Sequence, residues 1–140
     1  GTFTPWDIAR FTPYSLGNTT GGTFSWYFDG SDVGLTASGE KIDALDALPN
    51  GNLLISTSGA LAVPNPGGTF KAQDEDLVVF YPTTVGATTA GEWDTAFNGT
   101  VVPGMKGEDL NAVNVDPYYG NIYAGITGAF NLLLQGFEMD

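Results

Sequence analysis

Carboxylates are the most numerous residues of this sequence that could do chemistry. Asp29, Asp32 and Glu40 cluster around one loop, and Asp74 begins a second acidic run, Asp-Glu-Asp. If both loops lie at the same edge of a sheet, their carboxylates converge, and hard oxygen ligands of this kind are those that Ca²⁺ prefers. The sequence therefore predicts a calcium site built from these four side chains, with a solvated acidic rim as the alternative and no other cofactor.

Pairs of carboxylates are also the catalytic groups of glycoside hydrolases, which place an acid and a base or nucleophile across a sugar-binding cleft. The spacing here is not specific, because sixteen Asp and Glu residues in 140 produce many accidental pairs. The sequence has no histidine, which is the commonest general base, and it has no cysteine and no nucleophile elbow. We therefore predict that the protein is not an enzyme.

The aromatic residues offer binding chemistry instead, because sugar rings stack on their flat faces. Phe24, Trp26 and Phe28, however, alternate with Ser25 and Tyr27. This period of two is typical of a strand that buries one face. We therefore expect most of the three tryptophans and six tyrosines to lie in the core or in an interface, with carbohydrate binding as the alternative.

The charge of the chain argues against several partners and settings. Only four residues are basic against sixteen acidic ones, and the formal net charge is −12. Nucleic acid and anionic membrane surfaces would be repelled. The longest apolar run is far shorter than the roughly 20 residues of a membrane span. The chain begins at Gly1 without an initiator methionine, as a secreted protein does after removal of its signal peptide and as a cleaved tag also leaves it. The first alternative predicts an extracellular or cell-surface location.

An internal repeat accounts for most of the sequence. The stretch 7–30 recurs at 76–99, an offset of 69 residues, and the stretch 40–60 recurs at 108–129. The shared residues of the first stretch include Asp7/Asp76, Phe11/Phe80, Pro13/Pro82, Gly17/Gly86, Thr20/Thr89, Gly22/Gly91, Phe28/Phe97 and Gly30/Gly99. A length of 140 residues predicts one domain. The prediction is therefore a single domain, 1–140, with repeats of about 69 residues at approximately 7–61 and 76–130 and a C-terminal segment at 131–140.

One complete unit, at 42–98, contains four runs of strand length separated by turn residues, namely "IDALDAL", "NLLISTS", "DLVVFYP" and "GEWDTAF". Pro-Asn-Gly at 49–51 joins the first two runs as a tight hairpin, and 63–73 is predicted to be a longer Pro/Gly loop before the third. The predicted fold is all-β, with two tandem four-stranded antiparallel meanders arranged as propeller-like blades or packed as a β-sandwich, plus an extra C-terminal strand. The predicted core residues are Phe11, Phe28, Ile42, Leu45, Leu53, Ile55, Val79, Phe97, Val113 and Ile122.

Four motifs, "WYFDGSDVGL", "EKIDAL", "PNGNLLISTSG" and "DEDLVVF", lie within 26–80. They resemble a tandem repeat of secreted and surface-attached bacterial proteins whose units look like propeller blades. The resemblance covers nearly the whole chain, and it implies a propeller-like fold and an extracellular setting without an activity. The second repeat departs from the pattern, because "FNGTVVPGMKGEDL" replaces "FDGSDVGLTASGEKI" and lacks the counterparts of Asp29 and Asp32.

One of the two units is divided between the termini. In the strand order of a complete unit, the chain begins with the third and fourth strands, at 7–30, and ends with the first and second, at 110–128. Two units cannot close a propeller, which needs about four to eight blades. We therefore predict a structural subunit that assembles with its own copies, head to tail, into a filament, an appendage or a surface layer. The predicted assembly residues are Leu132, Leu134 and Phe137 of the C-terminal segment, with Phe3 and Trp6.

The alternative function is that of a small oligomeric β-propeller lectin that binds carbohydrate. A lectin built from repeats would be expected to present the same binding side chains in both units. Trp26 and Tyr27 are instead replaced by Thr95 and Ala96 in the second unit. This difference favours the structural subunit.

Two sequons of the form Asn-x-Ser/Thr lie in turn sequences. They begin at Asn18 and Asn98. A glycan attached at a turn is accommodated without disturbing a core. Both asparagines are therefore candidate glycosylation sites.

Overall fold

The chain folds as an all-β protein, which confirms the predicted fold class. The structure, a computed structural model, describes residues 1–129. Its strands are β1 (Ile8–Ser15), β2 (Gly21–Phe28), β3 (Ile42–Ala47), β4 (Leu53–Thr57), β5 (Leu61–Asn65), β6 (Gly68–Ala72), β7 (Leu77–Thr84), β8 (Ala90–Phe97), β9 (Leu110–Val115) and β10 (Ile122–Ile126). Short 3-10 turns lie at Gly30–Val33, Ser38–Glu40 and Gly99–Val101. Over these residues, no helix has the length and apolar character that a membrane span requires.

The central sheet consists of four antiparallel strands in the order β3-β4-β7-β8. Its first connection is the predicted Pro-Asn-Gly turn, in which Gly51 adopts φ +91°. Glycine adopts this left-handed conformation without the steric cost that a Cβ would add. The Asn50 side chain accepts a hydrogen bond from the Asn52 amide at 3.0 Å and stabilises the turn. The sheet is one complete copy of the predicted meander.

The segment between β4 and β7 is a hairpin, so the prediction of an irregular loop at 63–73 was wrong. Strands β5 and β6 form their own two-stranded antiparallel sheet, with Asn65 opposite Gly68 across the Pro66-Gly67 turn. Gly67 has φ +87°, as the third residue of a type II turn requires after proline. The sequence suggested a loop because Pro64 interrupts the strand pattern, yet edge strands tolerate proline.

The divided unit appears as two separate hairpins. The N-terminal hairpin, β1–β2, and the C-terminal hairpin, β9–β10, are each two-stranded antiparallel sheets. Their strands correspond at the offset of the repeat to β7–β8 and to β3–β4, respectively. The C-terminal segment 131–140, with its predicted extra strand, lies outside the described residues.

Two apolar clusters form the core. The larger one joins β2, β4, β5 and β7 around Phe28, Leu53 and Phe80, and the smaller one lies under the C-terminal hairpin around Leu77 and Leu110. Most of the predicted core residues are buried or half-buried. The prediction was wrong for two of them, because Leu45 lies on the exposed face of an edge strand and Ile122 lies on the open edge of β10.

Candidate functional site: the edges of the two terminal hairpins

The pairing of β4 with β7 shows how the two halves of a unit meet. This pairing is hereafter the internal joint, and every residue in it is at most 7% exposed. The paired residues are Leu53 with Phe80, Leu54 with Val79, and Ile55 with Val78. Since β4 and β7 are distant in sequence, the joint is a tertiary contact that completes the sheet.

Aromatic rings pack behind the internal joint. The Phe80 ring lies 4.7 Å from that of Trp93, and its edge meets Phe28 at 5.2 Å with an interplanar angle of 85°. Phe28 belongs to the end of β2, so the N-terminal hairpin contributes to the core of the central sheet. Edge-to-face pairs of this kind add about 0.5–1.5 kcal/mol each to the area that they bury.

The turn between β7 and β8 docks on the end of the N-terminal hairpin. The Gly86 amide donates to the Tyr27 carbonyl at 2.9 Å, and the Asp29 amide donates to the Thr89 hydroxyl at 2.8 Å. The Thr89 amide in turn donates to Asp32 Oδ2 at 2.8 Å. Three hydrogen bonds therefore hold one unit in a defined orientation against the next.

The N-terminal hairpin leaves one edge of its sheet open. Within residues 1–129, β1 pairs only with β2. Phe11 and Phe24 stack with their ring centroids 4.9 Å apart, and Phe24 is 67% exposed. They stand at the repeat positions of Phe80 and Trp93. An aromatic pair that is buried in the central sheet is therefore presented to solvent here.

The C-terminal hairpin leaves the complementary edge open. In the part of the chain that the structure describes, β10 pairs only with β9. On this edge Ile122 is 43% exposed and Tyr123 is 59% exposed. Beneath the hairpin lies an apolar cavity of about 250 Å³. Its lining includes Leu77, Phe97, Met105, Leu110, Ile122 and Ala124.

Both hairpins are attached to the central sheet by the same type of bond. The Ile42 amide, at the start of β3, donates to the carbonyl of Pro5 at 3.0 Å. The Leu110 amide, at the start of β9, donates to the carbonyl of Asp74 at 3.0 Å. Asp74 stands 69 residues after Pro5, and Leu110 is the repeat counterpart of Ile42. Consecutive units of the chain therefore share one local geometry.

Glu40 is a buried structural carboxylate. It is 4% exposed and accepts hydrogen bonds from the backbone amides of Thr36, Ala37 and Ala62 at 2.8–3.0 Å. Burial by itself raises the pKa of this group, but the three amide donors favour the ionised form and the pKa is lowered. The side chain therefore ties two loops and β5 together.

The carboxylates predicted to bind calcium serve different backbone groups. Asp29 caps the 3-10 turn that follows it, Asp32 accepts from the β7–β8 turn, and Glu40 is enclosed by amides. Asp74 lies beside Glu75, and the pKa of Asp74 is raised by burial and by that neighbouring carboxylate. Among residues 1–129, the acidic side chains form no group of three or more that could hold a metal ion. Calcium binding stays a prediction.

Asp43 and Asp109 form a pair of carboxyl groups that the sequence did not predict. Asp43 and Asp109 share a hydrogen bond between their carboxyl groups, where β3 meets the segment before β9. Burial, that hydrogen bond and the charge of Asp109 raise the pKa of Asp43 to about 7. Each residue also has a buried Oδ1 without a partner. No sequence signal reveals this pair, because its members are 66 positions apart (109 minus 43).

The other predicted site residues differ in how deeply they are buried. Phe3 is on the surface against Trp26, at a ring distance of 4.6 Å. Trp6 is half-buried against the core, and its indole N–H donates to the Ala37 carbonyl at 2.8 Å. The sequon residues Asn18 and Asn98 are both exposed. Leu132, Leu134 and Phe137 lie outside the described residues, so their role in assembly stays a prediction.

Comparisons with protein-family models, with curated proteins and with solved structures found no match to this chain.

Proposed function

We propose that the protein is a non-enzymatic extracellular structural subunit that assembles head to tail through its terminal hairpins. The assembly is a filament, an appendage or a surface layer made of copies of this chain. The single observation that carries the proposal is that, within residues 1–129, the outer edges of β1 and β10 have no partner strand. Their repeat counterparts, β7 and β4, are paired in the central sheet.

An open sheet edge favours association because it presents unpaired backbone donors and acceptors. The N-terminal hairpin lacks the first and second strands of its unit, and the C-terminal hairpin lacks the third and fourth. Each copy therefore offers what its neighbour lacks. The contact joins two different surfaces, so it propagates as a filament unless its rotation closes a ring.

The use of the carboxylates supports a structural role. Glu40, Asp29 and Asp32 accept hydrogen bonds from backbone amides, which is the work of turns and caps. The resemblance to repeats of secreted and surface-attached proteins supports the extracellular setting. Carbohydrate binding has no comparable support, because the exposed rings are not repeated as exposed rings: Phe24 corresponds to the buried Trp93, and Tyr123 corresponds to the buried Leu54.

The test is the association state of the full chain, measured by light scattering and negative-stain microscopy over a range of concentrations. We expect rods or rings whose mass rises with concentration. A protein that stays strictly monomeric at hundreds of micromolar would overturn the proposal.

Three variants identify which segment carries the assembly. Deletion of 131–140, or Leu132→Asp with Leu134→Asp, removes the predicted C-terminal contact, and Ile122→Asp places a charge on the β10 edge. Val85→Asp is the matched control, because Val85 is exposed in a turn of the complete sheet. We expect Ile122→Asp to abolish assembly and Val85→Asp to preserve it. Loss on truncation alone would assign the contact to the C-terminal segment.

A further inference from the structure

We infer that the contact between copies reproduces the internal joint in a defined register, with β10 of one copy paired to β1 of the next and Phe11 and Phe24 inserted into the apolar cavity. The inference rests on the proposed function and specifies its interface. The occupant is a second copy of this chain, because the counterparts of both surfaces already bind each other inside one molecule.

The register follows from the repeat. Leu53 faces Phe80 in the internal joint, and the offset of 69 residues converts this pair to Ile122 facing Phe11 of the next copy. The same shift converts the other two pairs. They become Tyr123 facing Arg10 and Ala124 facing Ala9. The result is an antiparallel sheet in the order β9-β10-β1-β2, equivalent to β3-β4-β7-β8.

The cavity fits the aromatic pair of the N-terminal hairpin. In the central sheet, Phe80 and Trp93 cover Phe28 and Leu53. The counterparts of the covered residues, Phe97 and Ile122, line the open cavity of about 250 Å³. The counterparts of the covering residues are the stacked and partly exposed Phe11 and Phe24. Their insertion removes apolar surface from water on both copies, which favours association by about 25 cal/mol per Å² before entropic costs.

The turn of the N-terminal hairpin is already shaped for docking. The Thr89 hydroxyl donates to the Gly86 carbonyl at 3.0 Å, and the Thr20 hydroxyl donates to the Gly17 carbonyl at 2.6 Å. On the neighbouring copy this turn meets Ala96 and Asn98, the counterparts of Tyr27 and Asp29. Two of the three docking hydrogen bonds are thus available from backbone groups and the threonine hydroxyl.

Three residue changes alter the polarity of this joint relative to the internal one. Val101 replaces Asp32, so the third docking hydrogen bond is missing. Tyr123 and Arg10 replace the apolar pair Leu54 and Val79. A guanidinium facing an aromatic ring is attractive and tolerates water. The joint between copies is therefore more polar than the internal joint, as suits surfaces that must stay soluble before they meet.

Disulfide trapping tests the register, because the chain has no native cysteine. Tyr123→Cys is mixed with Arg10→Cys and oxidised, and the covalent heterodimer is measured by non-reducing electrophoresis. The shifted control pairs Tyr123→Cys with Thr12→Cys, two residues along the same face of β1. Diagonal neighbours lie about 7–8 Å apart, at or beyond the limit for a disulfide of about 7 Å between Cα atoms. We expect at least about fivefold more heterodimer from the in-register pair.

A second measurement tests the inserted rings. Phe24→Asp places a charge on a side chain that is exposed in the single copy, so the hairpin still folds, as circular dichroism verifies. Leu16→Asp is the matched control, because the docking groups of its turn are the Gly17 amide and the Thr20 hydroxyl, while the Leu16 side chain and its counterpart Val85 are both exposed. We expect Phe24→Asp to weaken association at least about 30-fold, as at an interface hot spot, and Leu16→Asp to leave it unchanged.

The outcomes separate this inference from the proposed function. Assembly with preferential trapping of the shifted pair, or assembly that Phe24→Asp does not weaken, overturns the joint and leaves the structural subunit in place. A parent chain that never assembles overturns both. Preferential trapping of the in-register pair together with loss on Phe24→Asp establishes the joint.

Discussion

The central sheet and the two terminal hairpins are built from the same repeat, yet they differ in what they bury. Phe80 and Leu53 are fully buried in the central sheet. Their counterparts Phe11 and Ile122 remain half-buried or exposed. The sequence pattern is equivalent in both places, and the difference is the presence of a partner strand. Burial in this protein is therefore decided by which halves of a unit meet. Six substitutions at repeat positions test how the two regions differ.

The largest difference is expected between Phe80→Ala and Phe11→Ala. Phe80 is fully buried in the larger core cluster, so its removal leaves a cavity and costs about 3–5 kcal/mol of unfolding free energy. Phe11 is half-buried in the single copy, and we expect a cost of about 1 kcal/mol or less. Urea unfolding at a concentration where the protein is monomeric measures both. Equal losses of unfolding free energy in the two variants would contradict the distinction between the complete central sheet and the terminal hairpins.

A smaller difference is expected between the two glutamates that start equivalent strands. Glu40→Gln weakens three hydrogen bonds from backbone amides, and we expect a cost of about 2 kcal/mol at pH 7. Glu108→Gln alters a half-buried side chain and should change stability by less than about 0.5 kcal/mol.

The pH dependence of Glu40→Gln checks the same assignment. Because the pKa of Glu40 is lowered in the folded state, its contribution is present above the unfolded value of 4.5 and is lost as the pH falls through the folded pKa. The difference in unfolding free energy between the parent and Glu40→Gln should therefore become smaller at acidic pH. A difference in unfolding free energy that does not change with pH would show that the backbone amides do not depend on the negative charge of Glu40.

The carboxyl pair of Asp43 and Asp109 makes stability depend on pH in the opposite direction to Glu40. The pKa of Asp43 is raised from 3.8 to about 7, so the folded state holds the proton more tightly than the unfolded state. This contribution is fully present below pH 3.8 and is lost as the pH rises through 7. Asp43→Asn installs the residue found at the counterpart position, Asn111.

We expect Asp43→Asn to match the parent in stability near pH 4 and to be more stable than the parent at pH 8. Thermal unfolding across this range measures the crossover. The stability of the variant should also fall less steeply as the pH rises, because the mutation removes the group whose proton is retained on folding. A parent and variant with parallel pH profiles would show that the two carboxyl groups do not share a proton.

The smallest effect is expected from Asp29→Asn in buffer without divalent ions. Asparagine caps a helical turn about as well as aspartate, and Asn98 stands at the counterpart position, where its side chain makes no capping hydrogen bond. Stability should therefore change by less than about 0.5 kcal/mol. Repeating the measurement with millimolar calcium tests the calcium prediction, since a site that includes Asp29 would raise the melting temperature of the parent more than that of the variant. Equal melting curves with and without calcium would contradict it.

Much of the local structure could be predicted from the sequence. Runs of strand length between turn residues located the four strands of the central sheet, and Pro-Asn-Gly at 49–51 located its first turn. The inserted hairpin was missed, because Pro64 and the glycines after it are typical of a loop. Backbone pairing between Val63 and Phe70 overrides that preference. The candidate site was predicted only as a pair of complementary termini, without a register or a cavity.

The sequence by itself determined the repeat, the strands and the order in which each terminus supplies half of a unit, because these depend on residues close together in the chain. Only the tertiary structure decided that, among the strands of residues 1–129, β4 and β7 pair while β1 and β10 do not. It also placed Asp43 beside Asp109 and left Ile122 on an open edge. The physical reason is that edge pairing and burial depend on contacts between distant segments, and a residue's own type and spacing do not specify which partner reaches it.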